Sequence, residues 1–357
     1  MALLWVEGFE KFGNAGGSIN PEIDRYYNIL SQKYLQKWGS DYTVQAGRNG
    51  GKCLRSLSNA EFITTPDLSP TGDTLITGFA IKFRDYDNDN WVVDFRHPAD
   101  DGATIGWNSL TLRTASVNSV NEVSVYRGAT LLDTSNGAAL APDTWYYLEM
   151  KVKCHDTNGT INVCVDGVEI ISFTGNTQYR YNDQYSRVMF RCSQTDHLYY
   201  DDWYVCDGSG ITNNNFLGDC TVCMIDVTSD ASGNWTPSTG VNMYAVIDEA
   251  VQDSDYISDH TSGNQAIFET SNLSGNVTTG IVQGVMITCE AQQFDNCHKY
   301  PKLITQNGTG TIQDTGHFMP GGEDNPFAHT QIMELNPDGD DWSIALINDL
   351  RIGVEVS

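Results

Sequence analysis

Short runs rich in Val, Ile, Thr, Tyr, Phe and Trp recur along this chain, separated by clusters of Gly, Asn, Asp and Pro. β-Branched and aromatic side chains pack well on a pleated surface, whereas Gly and Pro interrupt it. The runs cover Leu75 to Arg84, Asn90 to Arg96, Leu110 to Thr114, Glu122 to Arg127, Trp145 to Lys153, Thr160 to Val165, Val168 to Thr174, Ser186 to Cys192 and His197 to Cys206. This spacing predicts an antiparallel β-sandwich. The sharpest turn signal is Asp166-Gly167, because Asp-Gly supplies the two positive φ angles that a tight type I′ hairpin requires.

From Tyr199 to Val222 the chain changes character: aromatic residues and the pair Asp201-Asp202 give way to Gly, Ser and Asn213 to Asn215. Strand-like runs resume at Cys220 to Val227, Asn242 to Asp248, Gln265 to Thr270, Thr279 to Gln293, Lys302 to Gln306, His329 to Leu335 and Arg351 to Val356. A length of 357 residues exceeds the usual single domain. The reading is therefore all-β, with a first domain over 1–207, a hinge over 208–219 and a second, smaller β-sandwich over 220–357. Helical periodicity is confined to Pro21 to Leu35 and to a short C-terminal helix of about two turns within Trp342 to Leu350, with Asp340 and Asp341 at its N-terminus. Trp342, Leu346 and Leu350, four residues apart, are expected to pack that helix onto the sheet.

Twenty basic residues against 46 acidic ones give a formal net charge of -26. That balance argues against binding of nucleic acid or of an anionic membrane surface, and no apolar stretch approaches the ~20 residues that insert across a bilayer. The N-terminal run Met1 to Glu10 has no basic segment and no cleavage signal, so synthesis and folding in a cytosol are expected. Nine cysteines, an odd number spread through strand-like runs, read as reduced core thiols, Cys220 and Cys223 among them.

An opening strand Gly8-Phe9-Glu10, the glycine loop Gly47 to Arg55, the hairpin at 163–167 and a closing strand Tyr200-Asp-Asp-Trp-Tyr204 together resemble a concanavalin A-like (laminin-G-like) jelly roll. Asn215 to Asp219, Val246 to Glu249 with Asp253 to Ile257, and the tail Asn336 to Val354 are similar to segments of tailed-bacteriophage virion structural proteins. The resemblance implies a jelly-roll first domain and a virion component on the particle exterior, as capsid decoration or tail or fibre part. It also implies contacts with other virion proteins, homo-oligomers in the assembled particle, and assembly in a host cytoplasm. The alternative is a lectin-like module that binds host-surface glycans.

Asp201 and Asp202 are neighbours on a strand, so their side chains are expected on opposite faces, one bonded to a loop backbone and one in water. They read as strand end and hinge. The glucanase pattern E-x-D-x-x-E is absent, since Glu22-Ile23-Asp24 continues into Arg25, Tyr26 and Tyr27. No histidine stands at a familiar spacing from a nucleophile, so no catalytic residue and no enzyme is expected. Asp85, Asp87 and Asp89 carry the alternating carboxylates that open calcium loops, but Asn90 and Arg96 stand where such a loop needs Gly and Glu. The expectation is no cofactor, with calcium at these three as the alternative. Trp91, Trp107, Tyr179 and Tyr181 are the candidate glycan platforms, with Trp145 also available.

Overall fold

The computed structural model describes residues 2–12, 37–38, 43–56, 61–84, 90–97, 109–117, 120–135, 140–179, 184–192, 198–248, 254–273, 277–292, 299–318 and 327–357. The chain divides into two compact units, Met1–Val222 and Cys223–Ser357. The expected helix over Pro21 to Leu35, with Glu22-Ile23-Asp24 inside it, lies outside the described residues. No described helix is long and apolar enough to cross a membrane.

The first unit contains β1 (Leu3–Glu7), β2 (Lys37–Trp38), β3 (Thr43–Ala46), β4 (Lys52–Ser56), β5 (Glu61–Thr64), β6 (Thr74–Phe83), β7 (Asn90–Arg96) and β8 (Leu110–Val117). It continues with β9 (Val120–Arg127), β10 (Thr130–Thr134), β11 (Trp145–Lys153), β12 (Gly159–Val165), β13 (Val168–Gly175), β14 (Arg187–Cys192) and β15 (Leu198–Asp207). One sheet runs β13-β12-β11-β6-β15-β4-β3, with β1 also paired to β15, and the other runs β10-β9-β8-β7-β14-β5-β2. All the pairings are antiparallel, and the fold is a jelly-roll sandwich. The Asp166-Gly167 hairpin forms as expected, with φ of 49° and 76°.

Aromatic rings fill the space between the layers. Phe190 of β14 lies 4.3 Å from the Tyr200 ring and 4.1 Å from that of Trp203, centroid to centroid, and 4.8 Å from Phe79. The Tyr200 hydroxyl reaches the Arg191 carbonyl oxygen at 2.9 Å and that of Val92 at 3.1 Å, so a polar tip from one sheet is satisfied by backbone of the other. Each such ring contributes roughly 1.5–3 kcal/mol through removal of its apolar surface from water.

Two local expectations are corrected. Gly8-Phe9-Glu10 is not a strand: β1 ends at Glu7, and Phe9 turns with φ 61° while its N–H donates to Glu7 Oε1 at 2.9 Å. Nor does either carboxylate of the acidic pair meet water, since Asp201 is 1% and Asp202 3% exposed. Strand alternation fails there because the register slips between Asp201 and Tyr204, and Asp202 takes φ 49° as the extra residue of a bulge. Asp201 Oδ2 accepts from the Arg48 N–H at 2.8 Å, and Asp202 Oδ2 accepts from Arg48 Nε at 2.9 Å.

The segment that follows β15, expected as a hinge through Asp219, is held onto this face by hydrogen bonds. Val222 N–H donates to Asp202 Oδ1 at 2.8 Å, Gly218 N–H to Glu149 Oε1 at 2.9 Å, and Leu217 N–H to the Tyr204 hydroxyl at 3.1 Å. Tyr204 in turn donates to Glu149 at 2.5 Å across Gly78, where a Cβ would stand 2.2 Å from the Tyr204 ring. Only a residue without a side chain lets that ring lie flat over β6.

The second unit contains β16 (Val227–Gly233), β17 (Thr236–Pro237), β18 (Ile257–Ser258), β19 (Gln265–Thr270), β20 (Val285–Ala291), β21 (Pro301–Asn307), β22 (Gln313–His317), β23 (Phe327–Met333), helix α1 (Ile344–Ile347) and β24 (Leu350–Val356). A five-stranded sheet, β16-β19-β24-β21-β22, is faced by the β20-β23 pair. Ile287 of β20 packs with Leu303 and Phe318, and with Ile352 and Val354 of β24, which makes a smaller sandwich.

Here too the sequence reading is corrected in places. Residues 220–226 form no strand, and Asn242 to Asp248 holds a short 3-10 turn, Tyr244–Val246. The Asp230 carboxylate accepts the N–H groups of Met243 at 2.8 Å and Tyr244 at 2.7 Å, and that favours a turn over a ladder. The terminal helix is one turn rather than two. Its cap is Ser343, whose hydroxyl accepts from Leu346 N–H at 3.2 Å, while Asn336 Oδ1 gathers the N–H of Asp338 at 2.8 Å and so holds the acidic stretch in a turn. Trp342, Ile347 and Leu350 do pack together, with Leu346 beside them.

Candidate functional site

Pleating sends alternate residues of β7, β8, β9 and β14 to the outer face of the second sheet. On β14 the order Arg187-Val188-Met189-Phe190-Arg191 puts Val188 and Phe190 in the core and both arginines outside. Cross-strand pairs point the same way: Arg187 stands opposite Arg96, Met189 opposite Asp94, Asp94 opposite Thr111, and Trp91 opposite Arg113. Tyr126 and Ser124 of β9 follow opposite Thr111 and Arg113. Four guanidinium groups thus gather on one face of a chain whose net charge is -26. Asp94 is the carboxylate among them within the described residues, and Glu122 follows one row further along β9.

These cations are buried: Arg96, Arg113 and Arg191 are each 6% exposed and Arg187 9%, while Asp94 is 0%. Arginine is seldom this deep unless paired. Asp94 Oδ2 lies 3.4 Å from Arg96 Nη2 and 3.8 Å from Arg191 Nη1, so one carboxylate faces two guanidinium groups. Aromatic rings carry part of the remainder. The Arg191 guanidinium carbon sits 3.8 Å from the Trp91 ring centroid, and that of Arg113 sits 4.2 Å from Trp91 and 4.1 Å from Tyr126. Burial pulls the Arg191 pKa below its ordinary value; Asp94 opposes this, and Arg96 and Arg113 reinforce it. Among the described residues Arg96 Nε, Arg191 Nε and Nη1 and Asp94 Oδ1 have no hydrogen-bond partner.

A stacked guanidinium keeps its N–H donors in its own plane, and Arg191 Nε and Nη1, which have no hydrogen-bond partner among the described residues, could take a carboxylate, sulfate or phosphate oxygen there. The layer therefore suits an anion, while the faces of Trp91 and Tyr126 that meet Arg113 and Arg191 are taken up by those guanidinium groups.

Of the expected platforms, Trp91 belongs to this layer. Tyr179 lies in the turn after β13 of the other sheet and is 39% exposed. Trp145 also stands on the first sheet, where the Lys82 ammonium lies 5.0 Å from its ring centroid and 4.3 Å from that of Tyr199. Trp107, Tyr181, Asp85, Asp87 and Asp89 lie outside the described residues. No cluster of three or more metal-ligating side chains occurs among the described residues. Burial pushes the Cys53 thiol up to about 12 and Cys164 up to about 11, so neither is a thiolate at neutral pH.

The arginine layer was missed in the sequence because net charge was read for the whole chain. The signal is nonetheless present: Asp94-Phe95-Arg96, Leu112-Arg113 and Arg187 to Arg191 each alternate an arginine with core residues at period two.

No family model matches the sequence, and no curated protein matches it. Among solved structures the chain is similar to the alginate lyase Aly36B, at 14% identity over 57% of this chain and 96% of that one, with a TM-score of 0.41. It is also similar to an endo-β-1,4-glucuronan lyase from the fungus Trichoderma reesei, at 12% identity over 48% and 90%, TM-score 0.38. A third is the Caenorhabditis elegans galectin LEC-6, at 11% identity over 42% and 94%, TM-score 0.28. The expectation that the chain is no enzyme is corrected by this comparison, since polysaccharide lyases stand among the structures it is similar to.

Proposed function

We propose that the first unit engages an acidic polysaccharide on the outer face of its second sheet. One observation carries the reading: four buried arginines gather on one face of a strongly acidic chain, and two of them, Arg96 and Arg191, face the same carboxylate, Asp94, yet keep Arg96 Nε and Arg191 Nε and Nη1 without a hydrogen-bond partner among the described residues. A cluster of cations this far from water costs stability unless an anion completes it. Neutral glycans would bring no charge to the open donors of Arg96 and Arg191, so they are the poorer fit. Its setting is the exterior of a tailed-phage virion, where such a module would meet the glycans of a host surface; the sequence resemblance supports that placement.

The test is affinity for a polyuronate, a sulfated glucan and a neutral glucan of equal length, measured by titration calorimetry with the whole chain. Tight binding of the anionic polymers alone is the expected result, and equal or absent affinity for all three overturns it. Following the ultraviolet absorbance of unsaturated uronate in the same samples reads out eliminative cleavage. Cross-linking in purified particles tests the virion setting.

A further inference from the structure

The arginine layer has a polarity beyond its charge. Asp94 is wholly buried, and its Oδ2 is directed at Arg96 and Arg191, while its Oδ1 accepts no hydrogen bond among the described residues. Neither residue directly opposite Asp94 is seen to donate to it. Met189, opposite Asp94 on β14, has no side-chain donor, and the Thr111 hydroxyl on β8 is engaged with Ser109 Oγ at 3.0 Å. A buried carboxylate oxygen without a donor is costly, and it sits beside Arg96 Nε and Arg191 Nε and Nη1, which are donors without acceptors.

An unfilled acceptor and several unfilled donors therefore lie side by side. A sulfate ester would satisfy the guanidinium donors but has no O–H to donate to Asp94 Oδ1. One water cannot serve three donors on two arginines. A sugar acid with a free hydroxyl next to its carboxylate meets both needs, through carboxylate to arginine and hydroxyl to Asp94.

Resting on the acidic-glycan reading above, we propose that Asp94 is a specificity-determining residue whose Oδ1 accepts a ligand hydroxyl beside the anionic group held by Arg96 and Arg191. The site thereby selects hydroxy-acid units over anions whose neighbouring hydroxyls are blocked or missing.

The experiment compares a polyuronate, the same polymer O-acetylated, and dextran sulfate, each titrated into the full chain and into Asp94→Asn and Asp94→Ala. Wild type should prefer the free polyuronate over the acetylated one by at least about tenfold, the worth of one charged hydrogen bond. Asn retains an acceptor oxygen, so Asp94→Asn should keep the preference at lower affinity. Asp94→Ala should lose it while holding dextran sulfate at least as well as wild type. Equal wild-type affinity for the free and acetylated polymers overturns the proposal. So does a preference that survives in Asp94→Ala, since the acetyl groups then act by bulk alone. Wild-type binding to no anionic polymer fails the underlying reading instead and takes this inference with it. The acetylation comparison on wild type stands even where a variant does not fold.

Discussion

The Arg191 guanidinium lies against the Trp91 indole, 3.8 Å from guanidinium carbon to ring centroid, and Arg113 meets the same ring at 4.2 Å. One tryptophan thus carries two cations that would otherwise repel each other. Stacking of this kind fixes the guanidinium plane without using its N–H donors. Arg191 Nε and Nη1 stay without a hydrogen-bond partner among the described residues, and the proposed anion site rests on them.

Replacing Arg191 by Lys should weaken binding of the anionic polymer nearly as much as replacing it by Ala, on the order of tenfold to a hundredfold. A lysine ammonium neither stacks as a plane nor presents a fork. Calorimetry at two salt concentrations checks this, and the remaining affinity should fall as salt rises. Rescue of full affinity by Lys would mean that charge alone suffices.

Loss of Trp91 should act through its two arginines. Trp91→Leu keeps an apolar side chain but removes the cation–π contacts, each worth roughly 0.5–2 kcal/mol. The expected result is both a lower melting temperature and weaker polymer binding, read by differential scanning calorimetry and titration on one preparation.

Burial, aided by the charge of Asp202 beside it, pushes the Asp201 carboxyl up to about 8, against the Arg48 and Asp202 N–H groups, which favour the charged form. The folded protein therefore holds this proton over a range in which an unfolded aspartate has lost it. Stability should fall as pH rises from about 4 through about 8, with the loss complete above that. Asp201→Asn should flatten this slope in denaturant titrations across that window; an unchanged slope would assign it to other groups.

Arg48 joins buried Asp202 to exposed Asp219 and also donates to the Cys220 carbonyl oxygen at 2.6 Å. Arg48→Ala strands the Asp202 carboxylate and should cost about 3–5 kcal/mol. Asp219→Ala touches only the exposed end and should cost about 1 kcal/mol or less. Chemical denaturation of the two variants separates the contributions, and equal losses would contradict the geometry.

In the second unit, a Cβ on Gly353 would stand 2.2 Å from the Ala266 carbonyl oxygen, which is backbone and cannot swing away. Gly353→Ala should destabilise that unit by about 1–3 kcal/mol or more. Limited proteolysis and calorimetry would register it, whereas Gly218→Ala faces open space and reports only the strain of its φ of 81°.

Period-two alternation and turn chemistry made most strands of the first unit legible in the sequence. Asn90–Arg96 and Trp145–Lys153 match the expected runs residue for residue, and Asp166-Gly167 turns as its composition demands. These are local properties: a β-branched or aromatic residue favours a pleated strand wherever that strand lies, and Asp-Gly tolerates positive φ in any neighbourhood. Where a side chain competes for the backbone, the local pattern misled, as when Asp230 folded Met243 and Tyr244 into a turn.

The arginine layer shows the other side. Each strand announces its own outward arginine, but only strand order sets β14 beside β7 and β7 beside β8, and only that order brings Arg191, Arg113 and Trp91 together. The bulge at Asp202 was equally a tertiary outcome, since it is the Arg48 loop and the segment at 217–222 that supply the partners for both carboxylates. Sequence determined which residues could form sheets and which way they face. The pairing of distant strands decided which charges meet, because electrostatic and stacking energies depend on separation in space, which chain distance does not encode.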